Sequence, residues 1–412
     1  MAAGTLFQDL GCYGSDVVDL SISSQDFVFL HGCKDGMELG TMHCLATQDP
    51  GNLFQYGPRQ GNFELCQTLA NFLTEEYGHQ VSSEHLFITG GSSQGLVLLC
   101  NVLFQSGDPV FVADLTGCSL DIFSDLGFKV VSVPSDENGL IVEELDKLLK
   151  VHSYRKRPAT EKRPFWGFVY LMTIFKNPTG HSLSEERCNA LINIFKKHKV
   201  LCVCDDTLAC LSYAKSNPPF KPAPKRLFGY DTSSTGSEEC GNVVVSLGSF
   251  STIFSPGLRI GWLEAPQNVL GHLKNSSFVR HVGSSQHYLS GVMSSVIELG
   301  ELTKRLSFLK ITYHGRLNAV FDALVQHLPK EVKLSKPQGG VFVWLTLPEK
   351  LNVNELLKVC REKYNVGFSP GSEFSSTPNK FNNCIRLSIA HYNEKILSSA
   401  AERLATAIME RI

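Results

Sequence analysis

Between residues 85 and 249 the chain alternates short, nearly unbroken apolar runs with longer amphipathic ones. "HLFITG" precedes "SSQGLVLLCNVLFQSG", "DPVFVADL" precedes "CSLDIFSDLG", and "KVVSVPSD" precedes "LIVEELDKLLKVH". "FWGFVYLM", the helix-like "SEERCNALINIFKKHK", "VLCVCDD" and "NVVVSLGS" complete the series. Repeated strand–helix–strand order requires parallel strands joined by crossover helices. Strands that are apolar along their whole length, rather than at alternate residues, require cover on both faces of the sheet. The expected fold is therefore α/β, with a mostly parallel central sheet and helices on both sides.

Beyond this block the pattern changes. Met293 to Leu328 reads as one long helical stretch, followed by the short strands "GGVFVWLTL" and "CIRLSIA" with the helical "NVNELLKVCREKY" between them. This suggests an N-terminal segment (1–45), a large α/β unit (46–295) and a smaller α+β unit (296–412), with the N-terminal segment packing on the smaller one. Two polar stretches, 151–164 and 214–241, are rich in Pro, Lys, Gly and Ser and read as surface loops.

Of 412 residues 43% are hydrophobic and the net charge is −2, so a large core is expected and a polybasic face for nucleic acid or membrane is not. Thirteen cysteines are scattered through apolar segments without a paired framework or zinc spacing, as in a reducing, cytoplasmic setting. No segment has the length of apolar sequence that spans a bilayer. Small molecules or a second protein chain are the expected partners.

In an open parallel sheet, ligands bind beyond the carboxyl ends of the strands, where helix N-termini offer free amides. Four such ends carry polar motifs. A glycine turn, Gly90-Gly91, leads into Ser92, Ser93 and Gln94. "FKNPTG" puts Asn177 where the chain leaves the sheet, although Asn-Pro and Thr-Gly are also ordinary turn formers. "CVCDDT" puts Asp205 and Asp206 at a strand end, either to face a cation or to cap a loop. "SLGSFSTIFSPGLRIGW" follows a strand with hydroxylated residues and an arginine, Arg259, that reads as buried. Trp262 and Trp344 read as core. Gly339 and Gly340 suit either close approach to a ligand or a hairpin turn.

Together, and in this order, these motifs resemble the class I/II aminotransferases of fold type I, which use pyridoxal phosphate, and most closely the aminoadipate and kynurenine aminotransferase branch. The resemblance runs from "FQYGPRQG" to "CIRLSIA". It implies that Ser92 and Ser93, with Ser249, Ser251 and Arg259, hold the cofactor phosphate. It implies that Asn177 bonds the ring hydroxyl oxygen and that Asp205 pairs with the pyridinium nitrogen. Arg386 would clamp the carboxylate of an amino acid or 2-oxo acid. Tyr56 would reach the phosphate of a neighbouring subunit in a homodimer.

Three positions depart from the family pattern. The lysine that joins the cofactor covalently falls on Thr252, and no lysine lies between Lys225 and Lys274. The aromatic residue that stacks on the ring falls on Gly117, and a tyrosine that bonds the ring oxygen falls on Leu208. A threonine hydroxyl neither condenses with a carbonyl nor takes a carbon-bound proton. Loss of that proton transfer costs typically about 10²- to 10⁴-fold in rate, or roughly 3–5 kcal/mol. The expected function is an aminotransferase scaffold with impaired or absent turnover, holding the cofactor non-covalently. An active enzyme using another base, with Lys176 as the candidate amine, is the alternative; strand alternation points Lys176 away from the side that Asn177 faces. A serine hydrolase built on the G-x-S-x-G run around Ser93, with Asp205 or Asp206 and His391, is a further one.

Overall fold

A computed structural model of the chain describes residues 16–412 except 118, 155, 214–219, 221 and 234–241. Seven strands form the central sheet: β1 (Leu86–Thr89), β2 (Pro109–Ala113), β3 (Lys129–Val133), β4 (Phe168–Leu171), β5 (Leu201–Asp205), β6 (Val244–Ser249) and β7 (Gly261–Glu264). Their order across the sheet is β1-β7-β6-β5-β4-β2-β3. The β2–β3, β2–β4, β4–β5 and β5–β6 pairs are parallel, whereas β7 runs antiparallel between β1 and β6.

The unbroken apolar strands follow from two separate cores. Phe168, Tyr170, Leu201 and Val203 face one side, against Leu96, Phe104 and Phe123. Val169, Leu171, Cys202 and Cys204 face the other, against Leu145, Leu191 and Phe195. Period-2 alternation thus sends successive side chains into opposite cores. The covering helices carry their own end signals. The Ser184 hydroxyl accepts from the Arg187 amide to start Glu185–His198, with two glutamates in the first turn and Lys196, Lys197 and His198 in the last. That charge order complements the helix dipole.

A second, antiparallel sheet holds β8 (Lys333–Leu334), β9 (Phe342–Thr346), β10 (Ser369–Pro370) and β11 (Cys384–Ser388), in the order β8-β9-β11-β10. Helices Glu301–His327 and Glu394–Met409 pack on each other beside it. Val18–Asp19 pairs with Val366–Gly367, tying the N-terminal segment to this unit.

Several expectations change. The long helical stretch breaks at Gly300, whose φ of 74° belongs to the left-handed region, giving His287–Glu298 and Glu301–His327. In the second polar stretch the described part is no surface loop: Leu227–Ser233 is helical and Arg226 is fully buried, its charge neutralised by Glu264. The rest of that stretch lies largely outside the described residues. The first stretch has no regular structure past its opening turns, yet Arg157 grips the buried Asp108 with two guanidinium nitrogens, at 2.9–3.1 Å. Among the described residues no helix is long and apolar enough to cross a membrane.

Candidate active site

Because β1, β4, β5 and β6 run parallel, their carboxyl ends meet along one edge. Strand β7 starts at that edge: Gly261 pairs with both Thr89 and Ser249. A Cβ on Gly261 would lie 2.6 Å from the Gly248 carbonyl oxygen and 2.9 Å from the Gly91 backbone, so only glycine permits this closeness. The antiparallel strand therefore delivers Arg259, two residues upstream, beside the turn after β1. Arg259 takes a left-handed backbone (φ 52°) and is exposed, not buried as its sequence context suggests.

That turn is built to leave amides free. Gly91, at φ 99°, precedes helix Ser92–Leu103 without any side-chain cap. A Cβ there would sit 2.9 Å from the Arg259 Nη2 atom, so the guanidinium lies against the open helix start. Ser251 Oγ accepts from Arg259 Nη1 at 3.4 Å. Ser249 is buried and its hydroxyl oxygen caps the next short helix by accepting from the Ser251 amide, which leaves its proton free to donate. Ser92, Ser93, Ser249, Ser251 and Arg259 are thus gathered around one helix N-terminus, a ready anion cradle.

Further along the edge, both oxygens of Asp205 are held. Tyr170 donates its hydroxyl to Oδ2 at 2.9 Å and itself accepts from Ser119. Thr207 donates its amide and its hydroxyl to Oδ1, at 3.2 and 2.6 Å. Three neutral groups thus fix this carboxylate without cancelling its charge. Asn177 Oδ1 accepts from Arg386 Nη1 at 3.1 Å. Arg386 also donates to Ser369 Oγ and the Ser21 carbonyl, and its guanidinium lies between the Phe342 and Phe374 rings. The guanidinium is buried and donates to three neutral oxygens, of Asn177, Ser369 and Ser21.

Thr252 stands in the first turn after β6. Its hydroxyl donates to the Thr207 carbonyl at 2.6 Å, with the Ser249 carbonyl at 3.3 Å. Gln25 reaches in from the N-terminal segment to bond the Ser251 and Thr252 carbonyls, and Arg305 holds the Gln25 side-chain oxygen. Gly117 is close to Asn177, 3.1 Å from Nδ2 to the place of a Cβ, so a larger residue requires the amide to move. Leu208 is buried in the core. Tyr56 is 77% exposed and its hydroxyl makes no hydrogen bond among the described residues.

Lys176 lines a different cavity, bounded by Leu115, Met172, His181 and Trp344, with none of Ser92, Asp205, Thr252 or Arg259 in its wall. Asp206 is no loop cap; it is buried and accepts from Ser246, beside Arg226. With Asp205 and Asp206 both bound elsewhere, neither is left to orient His391, which packs against Phe27 and Tyr392. Gly339 gives way to chain, not ligand: a Cβ would lie 2.3 Å from the Phe175 ring. Trp262 is core, whereas Trp344 is only half-buried. Tyr170, Ser119, Thr207 and Gln25 carried no sequence signal, for they look like strand interior, loop and leader.

An uncapped helix start with an arginine and a neutrally braced carboxylate lie on one edge of the central sheet, and the buried Arg386 reaches Asn177 there from the second sheet; the arrangement suits a phosphorylated, nitrogen-containing ligand in an α/β protein. The model of the aminotransferase class I and II family matches residues 16–404, and the chain belongs to that family. It is 29% identical to aromatic-amino-acid aminotransferase 1 of Thermococcus litoralis over 87% of this chain and 80% of that protein. It is 29% identical to the 2-aminoadipate transaminase of Thermus thermophilus, over 86% and 81%. The crystal structure of Pyrococcus horikoshii kynurenine aminotransferase, in complex with PMP, KYN and KYA, matches with a TM-score of 0.81 at 26% identity, covering 100% of this chain and 96% of that one. The fold is that of the fold-type I aminotransferases, and pyridoxal 5'-phosphate is the cofactor the family implies. The cradle at Gly91 and the free acceptor capacity of Asp205 fit its phosphate and ring nitrogen; no described lysine adjoins Thr252 to fit its aldehyde.

Proposed function

We propose that this chain is an aminotransferase relative that holds pyridoxal phosphate without a covalent anchor and has lost most or all amino-group transfer. The observation that carries this is the Thr252 hydroxyl, whose proton is committed to the Thr207 carbonyl where the family's resemblance calls for an amine. Bound cofactor supplies an electron sink for a substrate carbanion. The protein's residues hold it: Ser92, Ser93, Ser249, Ser251 and Arg259 at the phosphate, Asn177 at the ring oxygen, and Asp205 at the ring nitrogen, which it keeps protonated. Arg386 orients the carboxylate of an amino acid or 2-oxo acid. Nothing at position 252 moves a proton to or from carbon. Tyr56 serves the partner's phosphate in a homodimer. Among the described residues ten cysteines are buried and free of disulfides, which supports a cytoplasmic setting. The division into units 1–45, 46–295 and 296–412 belongs to the same reading, supported by the two separate sheets.

Rescue by Lys176 is disfavoured by its separate cavity. The test is an absorption titration with pyridoxal phosphate, then borohydride reduction and mass mapping. The unsubstituted protein should bind saturably with no stoichiometric fixation, and Thr252→Lys should fix one cofactor at position 252. Rapid transamination by the unsubstituted protein, or stoichiometric fixation at Lys176, overturns the proposal.

A further inference from the structure

The cavity behind the "FKNPTG" loop is separate from the cofactor cradle. It holds about 480 Å³ and lies between the two sheets, with Lys176, His181 and Ser182 on one wall and Lys333, Ser335 and Trp344 on the other. The tip of the Ser135–Asp136/Gly139–Leu140 hairpin closes its mouth. His181 Nε2 and Ser335 Oγ bond each other at 2.8 Å across the cavity, but three other donors in its wall, on Lys176, Ser135 and Ser182, have capacity to spare. The Lys176 ammonium has no hydrogen-bond or ion-pair partner among the described residues. The acid that acts on it, Asp114, pairs with Lys380 through Oδ2 at 3.1 Å, while its buried Oδ1 makes no hydrogen bond, to Lys176 or to any other described group. Ser135 Oγ is buried with no partner, and Ser182 Oγ accepts from the Phe175 amide with its own proton to spare. Asp136 is neutralised by Arg187 at 2.9 Å, so Glu137 at the hairpin tip is the lining acid that stands against two lysines.

We propose that this cavity is a binding site for a small oxyanion, a carboxylate or phosphate, gripped by Lys176 from the large unit and Lys333 from the small one. Lys176 is half-buried, and an unpaired ammonium that has lost part of its water is costly; an anion with acceptor atoms for the serines relieves that cost. Burial has already pushed Lys176 down to about 8, which an anion would reverse. Lys176 is joined directly to Asn177, and Asn177 is bonded to Arg386. Occupancy therefore bridges the two units and bears on the arginine that faces substrate, which makes the cavity a regulatory site for the one described above. The proposal does not depend on whether the cofactor site turns over.

The experiment is calorimetric titration with inorganic phosphate and, separately, malonate, which distinguishes the two anion types. It uses the full chain and the variants Lys176→Met, Lys333→Glu, Arg259→Ala and Arg386→Leu. Lys176→Met should weaken binding of the preferred anion at least about tenfold, in keeping with loss of a charged hydrogen bond. Lys333→Glu, at an exposed rim position that tolerates the change in folding, should do the same. Arg259→Ala and Arg386→Leu should leave one binding event intact. Stoichiometry and affinity unchanged by both lysine changes, or binding that vanishes altogether with Arg259→Ala or Arg386→Leu, put the anion in the cradle or substrate site alone and overturn the proposal. So does the absence of binding by either anion.

Discussion

Asp205 and Asp206 are neighbours with opposite surroundings. The first faces the site, while the second turns into a buried cluster with Arg226, Glu264, Ser246, Tyr77 and His79. His79 is held neutral there: Nε2 faces the Arg226 guanidinium at 3.3 Å, and Nδ1 bonds the Tyr77 carbonyl at 3.1 Å. Burial, helped by the Arg226 charge, lowers it from 6.5 to about 4. Between those values the unfolded chain takes up a proton that the fold refuses, so the contribution is full above pH 6.5 and is lost as pH falls towards 4. Burial raises Asp206 to about 6 against the pull of Arg226, and its sign is opposite: its contribution is full below about pH 4 and is lost as pH rises through 6. His79→Gln should therefore flatten the drop in melting temperature between pH 7 and 5; melting curves that shift in parallel for both proteins would refute the assignment. The strand-end residues Ser92, Asn177, Asp205 and Arg259 were legible because topology alone sends them to one edge. Tyr170 and Gln25 were not, since a tyrosine inside an apolar strand reads as core, and Gln25 meets Ser251 from 226 positions away.

At the scale of elements, the decisive feature is the insertion of antiparallel β7 between two parallel neighbours. It rests on Gly248 and Trp262, which face each other across β6 and β7. The indole fills the space a side chain at 248 would need: a Cβ would lie 2.0 Å from Trp262 Cε2. Gly248→Ala should cost about 1–3 kcal/mol through overpacking. Gly271→Ala, in helix Gln267–Asn275 where a Cβ meets nothing within 4 Å, should gain about 0.5–1 kcal/mol. Urea midpoints moving in opposite directions are the expected result, and an unchanged midpoint for Gly248→Ala would show that Trp262 yields freely. The parallel strands could be read because each is an unbroken apolar run alternating with an amphipathic helix. β7 follows β6 with no crossover helix between them, and its direction depends on neighbours that no local pattern records. The break at Gly300 escaped notice because helical periodicity resumes immediately after it.

At the scale of the whole molecule, a large apolar area is left uncovered. Met42 and Leu39 on helix Cys33–Thr47, then Phe54, Tyr56 and Phe63, are 49–77% exposed, and Phe278 is 57% exposed nearby in sequence to Gly283, which abuts Gly57. Phe54 stacks on Tyr288 at 5.5 Å, and helix Cys33–Thr47 packs on His287–Glu298, so Leu39, Met42 and Phe54 all sit about that one helix. Clustered exposed apolar side chains suit association with a second copy, and the motif that supplies Tyr56 is among them. Two copies joined through this face would each lend Tyr56 to the other's cradle, giving a hydroxyl whose hydrogen bonds are unmade in one chain an anionic acceptor in the other. Met42→Glu combined with Phe54→Glu should then convert a dimer to a monomer in sedimentation equilibrium and weaken pyridoxal phosphate binding at the same time. Tyr56→Phe should keep the dimer yet lose about tenfold in cofactor affinity, the scale of one hydrogen bond to a charged group. A monomeric unsubstituted protein at micromolar concentration, or a charge-bearing double variant that binds cofactor as well as the dimer does, would separate assembly from the site and defeat the argument.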